Sequence, residues 1–429
     1  MFMENRYDKY KDSGIAWIGE IPEHWEVCSI KQIMKNKSIK GFPNETVLSL
    51  YRDFGVIPKD SRDDNHNVTS EDTSNYKLVE NGDFVINKMK AWQGSMAISD
   101  FKGIISPAYY ICKIFSPKVV RKYIHYLLRD ESYKAEYMRL STGMRIGQWD
   151  LNIDDFLQIN TILPSLSEQQ YIATYLDQKC GEIDELITLQ EEMITKLQSY
   201  KQSVITEAVT KGLDKNVPLK DSGIEWIGEI PDHWNICKLK NIFLLSTGTT
   251  PKDFDKISEG DNLINWYTPS DILDSCNDLF NSQRKLSEKV IYDNKIPLFP
   301  IGTLLYVGIG ASAGKVGYAN ENGYSNQQIT GLIPLECYSR FYFYYLSALK
   351  DKIRDNAFFT TLPIINNTYL GQELIPYPPI NEQQSIATYL DQKCSEIDEL
   401  ISIKQQKIEK LKDYKKSLIF ECVTGKRKV

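Results

Sequence analysis

Two segments of this chain each occur twice, and any fold must accommodate that duplication. Lys11–Lys31 reads KDSGIAWIGEIPEHWEVCSIK, and Lys220–Lys240 reads KDSGIEWIGEIPDHWNICKLK; fifteen of 21 positions agree at an offset of 209. Glu168–Ile187 and Glu382–Ile401 share EQQxIATYLDQKCxEIDELI; eighteen of 20 positions agree at an offset of 214. The stretches between, 32–163 and 241–377, show no such match. The order is therefore head, variable part and helix, taken twice, which predicts two equivalent units carrying dissimilar inserts. Each insert, at about 130 residues, is long enough for one mixed α/β domain.

Composition narrows the class. The 429 residues suggest about three domains, or two large ones with connectors. An apolar content of 42% supports real cores, and 25% charged residues is ordinary. A net charge of −6 excludes a uniformly basic coat but not a local basic groove. Four histidines leave little room for a multi-histidine metal site, and none of the eight cysteines forms a C-x-x-C pair. Met1–Tyr10 is polar rather than signal-like. Ile296–Gly310 is too short to span a bilayer and is broken by Pro297 and Pro300. A cytoplasmic, reduced chain with no membrane partner is expected.

In the heads, Trp17, Trp25, Trp226 and Trp234 are expected to fill core, and His24 and His233 to be structural. Asp83–Asn87 and Gly302–Val307 read as strands after turns. Val119–Arg139 and Tyr338–Asp355 read as helices rich in Tyr and Leu. The second repeated blocks read as long helices behind Pro164 and Pro378–Pro379, with Ser167 and Asn381 as N-caps. Without Pro, and with Gly181 alone among glycines, the first continues to Lys211, roughly 65 Å at 1.5 Å per residue. Leu176, Ile183, Leu197 and Val204 form one heptad column, and Leu186, Met193 and Tyr200 the other. In the second helix the columns are Leu390, Ile397, Leu411 and Leu418 against Leu400 and Tyr414, with Gln190 and Lys404 interrupting both seams. One helix of this length cannot bury its stripe alone, so the two are expected to pair. The expected fold is mixed α/β (α+β): two pseudo-twofold-related globular domains separated by two long antiparallel coiled-coil helices. The divisions are 1–165, 166–211, 212–379 and 380–429.

Catalytic motifs fail on spacing. GIGASAGKVG at Gly308–Gly317 resembles a phosphate loop, but Gly310 leaves three residues before Gly314, Gly308 leaves five, and Val316 follows Lys315. A Gly-rich turn that admits a close partner is expected instead. YPPI at Tyr377–Ile380 lacks the Asn or Asp of an adenine-methyltransferase loop, so it reads as a rigid connector. No G-x-S-x-G or H-E-x-x-H occurs, and Glu182, Asp184 and Glu185 read as a solvated helix face. A non-enzymatic chain without cofactor or metal is expected.

GIxWIGEIPxHW in both heads, EQQxIATYLDQKCxEIDELI in both helices, and YKLVENGDFVINKMKAWQ (Tyr76–Gln93) with SPAY (Ser106–Tyr109) resemble the specificity subunit of type I restriction–modification systems along nearly the whole chain. The resemblance implies that each variable part is a target recognition domain reading one half of a bipartite, asymmetric site in double-stranded DNA. It implies that the paired helices set the spacing and dock two modification subunits, adenine methyltransferases that carry S-adenosylmethionine. It also implies a motor–endonuclease subunit in the full complex. Major-groove entry by both domains on one duplex face would put half-site centres about one turn, roughly 10 bp, apart. Base contact in the first domain is expected from Lys88, Lys90, Trp92 and Gln93, and from Arg145 and Gln148 in the loop 141–149. In the second it is expected from Ser312, Lys315, Asn326, Gln327, Gln328, Thr361, Asn366 and Asn367, with 360–367 in the place of the first domain's 141–149 loop. From Lys404 to Val429, nine cations face three acids, which suits DNA, an acidic partner surface or plain solvent. The alternative is a scaffold that holds two partner proteins without DNA.

Overall fold

The computed structural model describes residues 6–52, 54–62, 69–70, 72–143, 149–251, 263–273, 277–355 and 364–429. The chain divides into two compact units, 1–191 with 405–429, and 192–404. Each unit thus holds one head, one variable part, the opening of its own long helix and the closing turns of the other long helix.

In the first unit the head is a hairpin, Tyr10–Asp12 against Glu20–Pro22. Next, Glu26–Ser29 pairs antiparallel with Asn160–Leu163, so the chain enters and leaves the variable part through adjacent strands. Inside lies an antiparallel sheet of β1 (Met34–Lys37), β2 (Phe84–Asn87), β3 (Met96–Ile98) and β4 (Tyr109–Ile114), in the order β1-β4-β2-β3. The continuous apolar run of β2 follows from burial on both faces. Phe84 and Ile86 join a core with Leu127, Tyr133 and Tyr137, while Val85 points to a second core with Leu48, Val79 and Ile105. The expected helix 119–139 is two helices, α1 (Arg121–Arg129) and α2 (Glu131–Leu140). Asp130 breaks it: its backbone is extended (ψ 148) and its carboxylate accepts from Ser132 N at 2.9 Å, which caps α2.

The second unit repeats the frame. Leu219–Asp221 pairs with Glu229–Pro231, and Asn235–Lys238 with Leu374–Tyr377. Its sheet is longer: β5 (Phe243–Thr247), β6 (Asn277–Leu279), β7 (Leu304–Val307), β8 (Val316–Ala319) and β9 (Ile329–Pro334), in the order β5-β9-β7-β8-β6. Only the β6–β8 pairing within this sheet is parallel. Leu304 and Tyr306 face one core, Leu305 and Val307 another. The expected helix 338–355 is likewise interrupted, into α3 (Ser339–Ala348) and Lys350–Asp355, at Leu349.

The long helices cover Leu166–Lys211 and Ile380–Val423. They run antiparallel. In the first unit Lys415 Nζ meets both oxygens of Asp184 at 2.7 Å; in the second, Lys201 Nζ meets Asp398 at 2.7 and 2.8 Å. Leu176, Cys180 and Ile183 share a core with Leu418 and Cys422, and Ile205, Ala208 and Val209 share one with Ile386, Leu390 and Cys394. One heptad column differs from expectation. Leu186, Met193, Tyr200, Leu400 and Tyr414 are exposed. The facing residues are one position on, at Ile187, Ile194 and Lys201 and at Ile401, Ile408 and Lys415. Both lysines extend along the seam to reach an aspartate, burying their stems. Gln190 is buried in the seam as expected.

The helix caps also differ from expectation. Ser165, not Ser167, caps the first helix: its Oγ accepts from Glu168 N at 3.3 Å, and Glu168 Oε2 accepts from Ser165 N at 3.2 Å. At the second, Pro379 stands in the capping position, its carbonyl accepting from Glu382 N and Gln383 N, and Asn381 lies inside the first turn.

Candidate nucleic-acid interface

The repeated motifs turn out to be the joints of the frame. In the first unit, His24 Nε2 lies 2.8 Å from Glu168 Oε1, and Trp25 Nε1 donates to the same oxygen at 3.4 Å. Burial raises the Glu168 pKa, but hydrogen bonds from His24 and Ser165 outweigh it and hold the carboxyl below its ordinary value. The neighbouring Gln169 is fully buried. It accepts from Val120 N at 2.8 Å and donates to the carbonyls of Lys118 and Pro164, each at 2.9 Å. In the second unit His233 and Trp234 meet Glu382 at 2.7 and 3.0 Å, and Gln383 takes Tyr338 N and Pro378 O, both at 2.8 Å. One carboxylate fixes the head and one amide fixes the variable part.

Three loops gather at the far end of the sheet in each unit. The first leaves β2 at Lys88 or β7 at Gly308. The second is the turn entering β4 or β9, which bonds back to the first through Lys88 N to Ala108 O (3.3 Å) or Gly308 N to Gln328 O (2.8 Å). The third returns alongside, through Leu151 N to Lys88 O (3.1 Å) or Ile365 N to Gly308 O (2.7 Å). Gly308 is required there, because a Cβ would sit 2.7 Å from the Ile365 carbonyl.

The first unit's loops are cationic and aromatic. Lys90 is exposed; Lys88, Trp92 and Gln93 are half-buried. Trp92 stacks edge-on to Trp149 with ring centres 5.2 Å apart. Lys88 and Lys77 lie 5.7 and 5.5 Å from the Tyr110 ring. Burial, and then the charges of Lys88 and Lys40, lower the Lys77 pKa. Gln93 Oε1 accepts from Arg52 at 2.6 Å, which leaves its amide nitrogen to donate elsewhere. Arg145 and Gln148 lie outside the described residues. The second unit's loops are amide-rich. Gln327 is exposed and accepts from Thr250, while Gln328 is half-buried. Asn326 is buried and braces its own turn against Gln328. Asn366 caps a short helix through Tyr369 N, and Asn367 bridges Thr330 (2.6 Å) to Thr247 (2.9 Å). Ser312 and Lys315 are half-buried in the Gly-rich turn; Thr361 lies outside the described residues.

Sequence reading missed Arg52, Lys77 and Tyr110, which join the first unit's loops from distant positions. The one available signal was that SPAY at 106–109 and SNQQ at 325–328 both precede the last strand of their sheet. Among the described residues no cluster of His, Cys, Asp and Glu could hold a metal, and no helix is long and apolar enough to cross a membrane.

Residues 22–198 and 231–413 match the family model described as type I restriction modification DNA specificity domain. The putative type I restriction enzyme MjaX specificity subunit of Methanocaldococcus jannaschii is 26% identical over 434 residues, 96% of each chain. The MjaVIII specificity subunit of that organism is 26% identical over 95% of this chain and 94% of its own. Among solved structures, a chain from a study of complex assembly and conformational transition of a type I R-M system superposes with a TM-score of 0.74 at 16% identity, covering 94% of this chain and 98% of that one. The HsdS subunit of Thermoanaerobacter tengcongensis superposes with a TM-score of 0.55, also at 16% identity and the same coverage.

Proposed function

Since this chain belongs to the family of type I restriction–modification DNA specificity subunits, we propose that the loop cluster of each unit reads one half of a bipartite DNA site. The family is non-catalytic and carries no cofactor of its own. The observation that carries the reading is the convergence of three loops at the same place in both units, with different side chains on each. Identical frames with unlike tips suit two unlike half-sites. Lys88 and Lys90 have the chemistry to hold phosphates, and Arg145 and Gln148 to read base edges. In the second unit, Ser312, Lys315, Gln327, Gln328 and Thr361 are the candidates for contact. Asn326, Asn366 and Asn367 are engaged in shaping the loops and act by positioning them.

The helices carry exposed apolar residues, Leu186, Leu189 and Tyr414 in the first unit and Tyr200, Leu400 and Ile403 in the second. We assign these to docking of two modification subunits, which supply S-adenosylmethionine chemistry, with a motor–endonuclease subunit completing the assembly. The helix length sets the distance between half-sites.

Exchanging 32–163 for another variable part tests the reading. Selection of bound duplexes from a random pool is expected to return a new first half-site and an unchanged second. A change in both halves would refute independent reading. Binding that falls little between 50 and 200 mM salt would instead favour a protein-only scaffold.

A further inference from the structure

A glutamine meets a base edge in one of two ways. With both ends of its amide free, it donates to one atom and accepts from the next, which suits adenine N7 and the N6 amino group. With its carbonyl oxygen already taken, only its N–H bonds remain, and the side chain needs acceptors opposite. In the first unit Gln93 is in the second condition. Arg52 Nη2 donates to Gln93 Oε1 at 2.6 Å. A guanidinium carries five N–H donors and no acceptor, so the end of the amide that meets it must be the oxygen. The contact is charge-assisted, and so stronger than one between neutral groups. Among the described residues the Gln93 amide nitrogen has no partner.

Both sides of the pair are held in place. Gln93 ends a single helical turn, Ala91–Gln93, which is anchored by buried Ala91 and closed by Gly94 at φ 76, a conformation that glycine adopts freely. Gln93 N donates to Lys90 O at 3.0 Å. Arg52 stands at the turn of the hairpin that pairs Leu48–Tyr51 with Gly55–Pro58, where Leu48, Leu50 and Val56 are buried. Its carbonyl accepts from Arg129 Nη2 of α1. The second unit supplies a contrast. Gln327 Oε1 accepts from the Thr250 hydroxyl. A hydroxyl donates or accepts, so that amide can turn over without losing its partner and keeps both readings open.

Resting on the reading of the loop cluster as a DNA interface, we propose that Arg52 is a positioning residue that sets base specificity. By holding the Gln93 oxygen it makes Gln93 a donor that selects guanine over adenine at one position of the first half-site. Guanine presents two adjacent acceptors in the major groove, N7 and O6, and no donor. Adenine presents one acceptor beside its amino group, which would meet the Gln93 N–H bonds donor to donor and stay unpaired. Thymine presents O4 beside a methyl group.

Selection of bound duplexes from a random pool by the full chain and its variants tests this. Gln93→Ala is expected to lose preference at one position of the first half-site, and that position is expected to be guanine for the unaltered chain. Arg52→Met frees the oxygen, and adenine is expected to gain at least about tenfold over guanine there, with the rest of the site unchanged. Arg52→Lys, which also only donates, is expected to keep guanine. In Gln93→Glu one carboxylate oxygen stays on Arg52 and the other accepts, so the position is expected to turn to cytosine. The second half-site, read by the other unit, is expected to stay the same in every variant. Adenine at the Gln93 position of the unaltered chain, no position that depends on Gln93, or a guanine preference unchanged by Arg52→Met overturns the proposal and leaves the reading of the loops intact. Failure of the unaltered chain to select any first half-site refutes that reading, and the proposal with it.

Discussion

Gln169→Met keeps the length of the side chain and removes every hydrogen bond it makes. Gln169 is fully buried, so packing is nearly conserved and the loss is polar. Val120 N–H and the carbonyls of Lys118 and Pro164 are left without their partner. An orphaned buried group costs about 1–3 kcal/mol, and the two groups nearer the surface recover part of that from water. The sum is about 2–5 kcal/mol, a large share of the roughly 5–15 kcal/mol that stabilises a typical domain. With a urea dependence of about 1–3 kcal/mol per molar, the first unit's midpoint should fall by about 1–2 M. Tryptophan fluorescence and hydrogen exchange of amides in α1 would report it. Gln383→Met should lower the second unit instead, leaving the α1 amides protected. A shift below about 0.3 M for Gln169→Met would show that the amide is not a joint, and would refute the reasoning.

Arg340→Met should destabilise the second unit by about 1–2 kcal/mol, because it leaves Asp278 and Asp391, 39% and 41% exposed and so partly solvated, without the guanidinium between them; thermal unfolding checks it. Burial raises the Asp278 pKa, but Arg340 and Asn320 outweigh it, so the net shift is downward. Its contribution should be complete above the ordinary carboxylate pKa and fade as pH falls through the depressed one, and Arg340→Met should remove that acid dependence. Lys201→Met should leave Tm unchanged or raise it, since an apolar side chain suits the seam and the ion pair with half-exposed Asp398 contributes at most about 1 kcal/mol; a fall of several degrees would contradict this. Lys88→Ala and Lys90→Ala should each reduce the salt dependence of duplex binding by about one unit of slope, without changing the preferred sequence if they hold phosphates.

The repeats made the frame legible before any coordinates. They revealed two units, two inserts and two long helices, because near-identical blocks must fold alike. Strands β2 and β7 were legible for a different reason: a run such as FVI or LLYV needs a core on each face, and each strand has one. The second heptad column was misplaced by one residue because it contains Lys201 and Lys415, which reach Asp398 and Asp184, while apolar Met193 and Tyr200 lie outside. The helix breaks were hidden because Asp130 and Leu349 carry no strong stop signal, and Asp130 acts as a cap only through its ψ and Ser132. Of the loop cluster, sequence suggested the turns at 88–93 and 308–315, where chemistry is concentrated locally. Arg52 arrives from the turn after strand Leu48–Tyr51 and Lys77 from strand Lys77–Val79, and periodicity does not disclose such a meeting. The role of EQQ was likewise invisible, since its partners His24 and Val120 are 144 and 49 residues away.

Each unit is closed by turns of helix that belong to the other copy. A truncated product ending at Lys211 would therefore leave Leu176, Cys180 and Ile183 uncovered, with Leu418 and Cys422 missing. It would nonetheless own substitutes: Val204, Ala208 and Val209 stand 214 residues before Leu418, Cys422 and Val423. Two such half-length molecules could cap each other by swapping helix tails. The swapped pair would be symmetric, and its DNA target a palindrome.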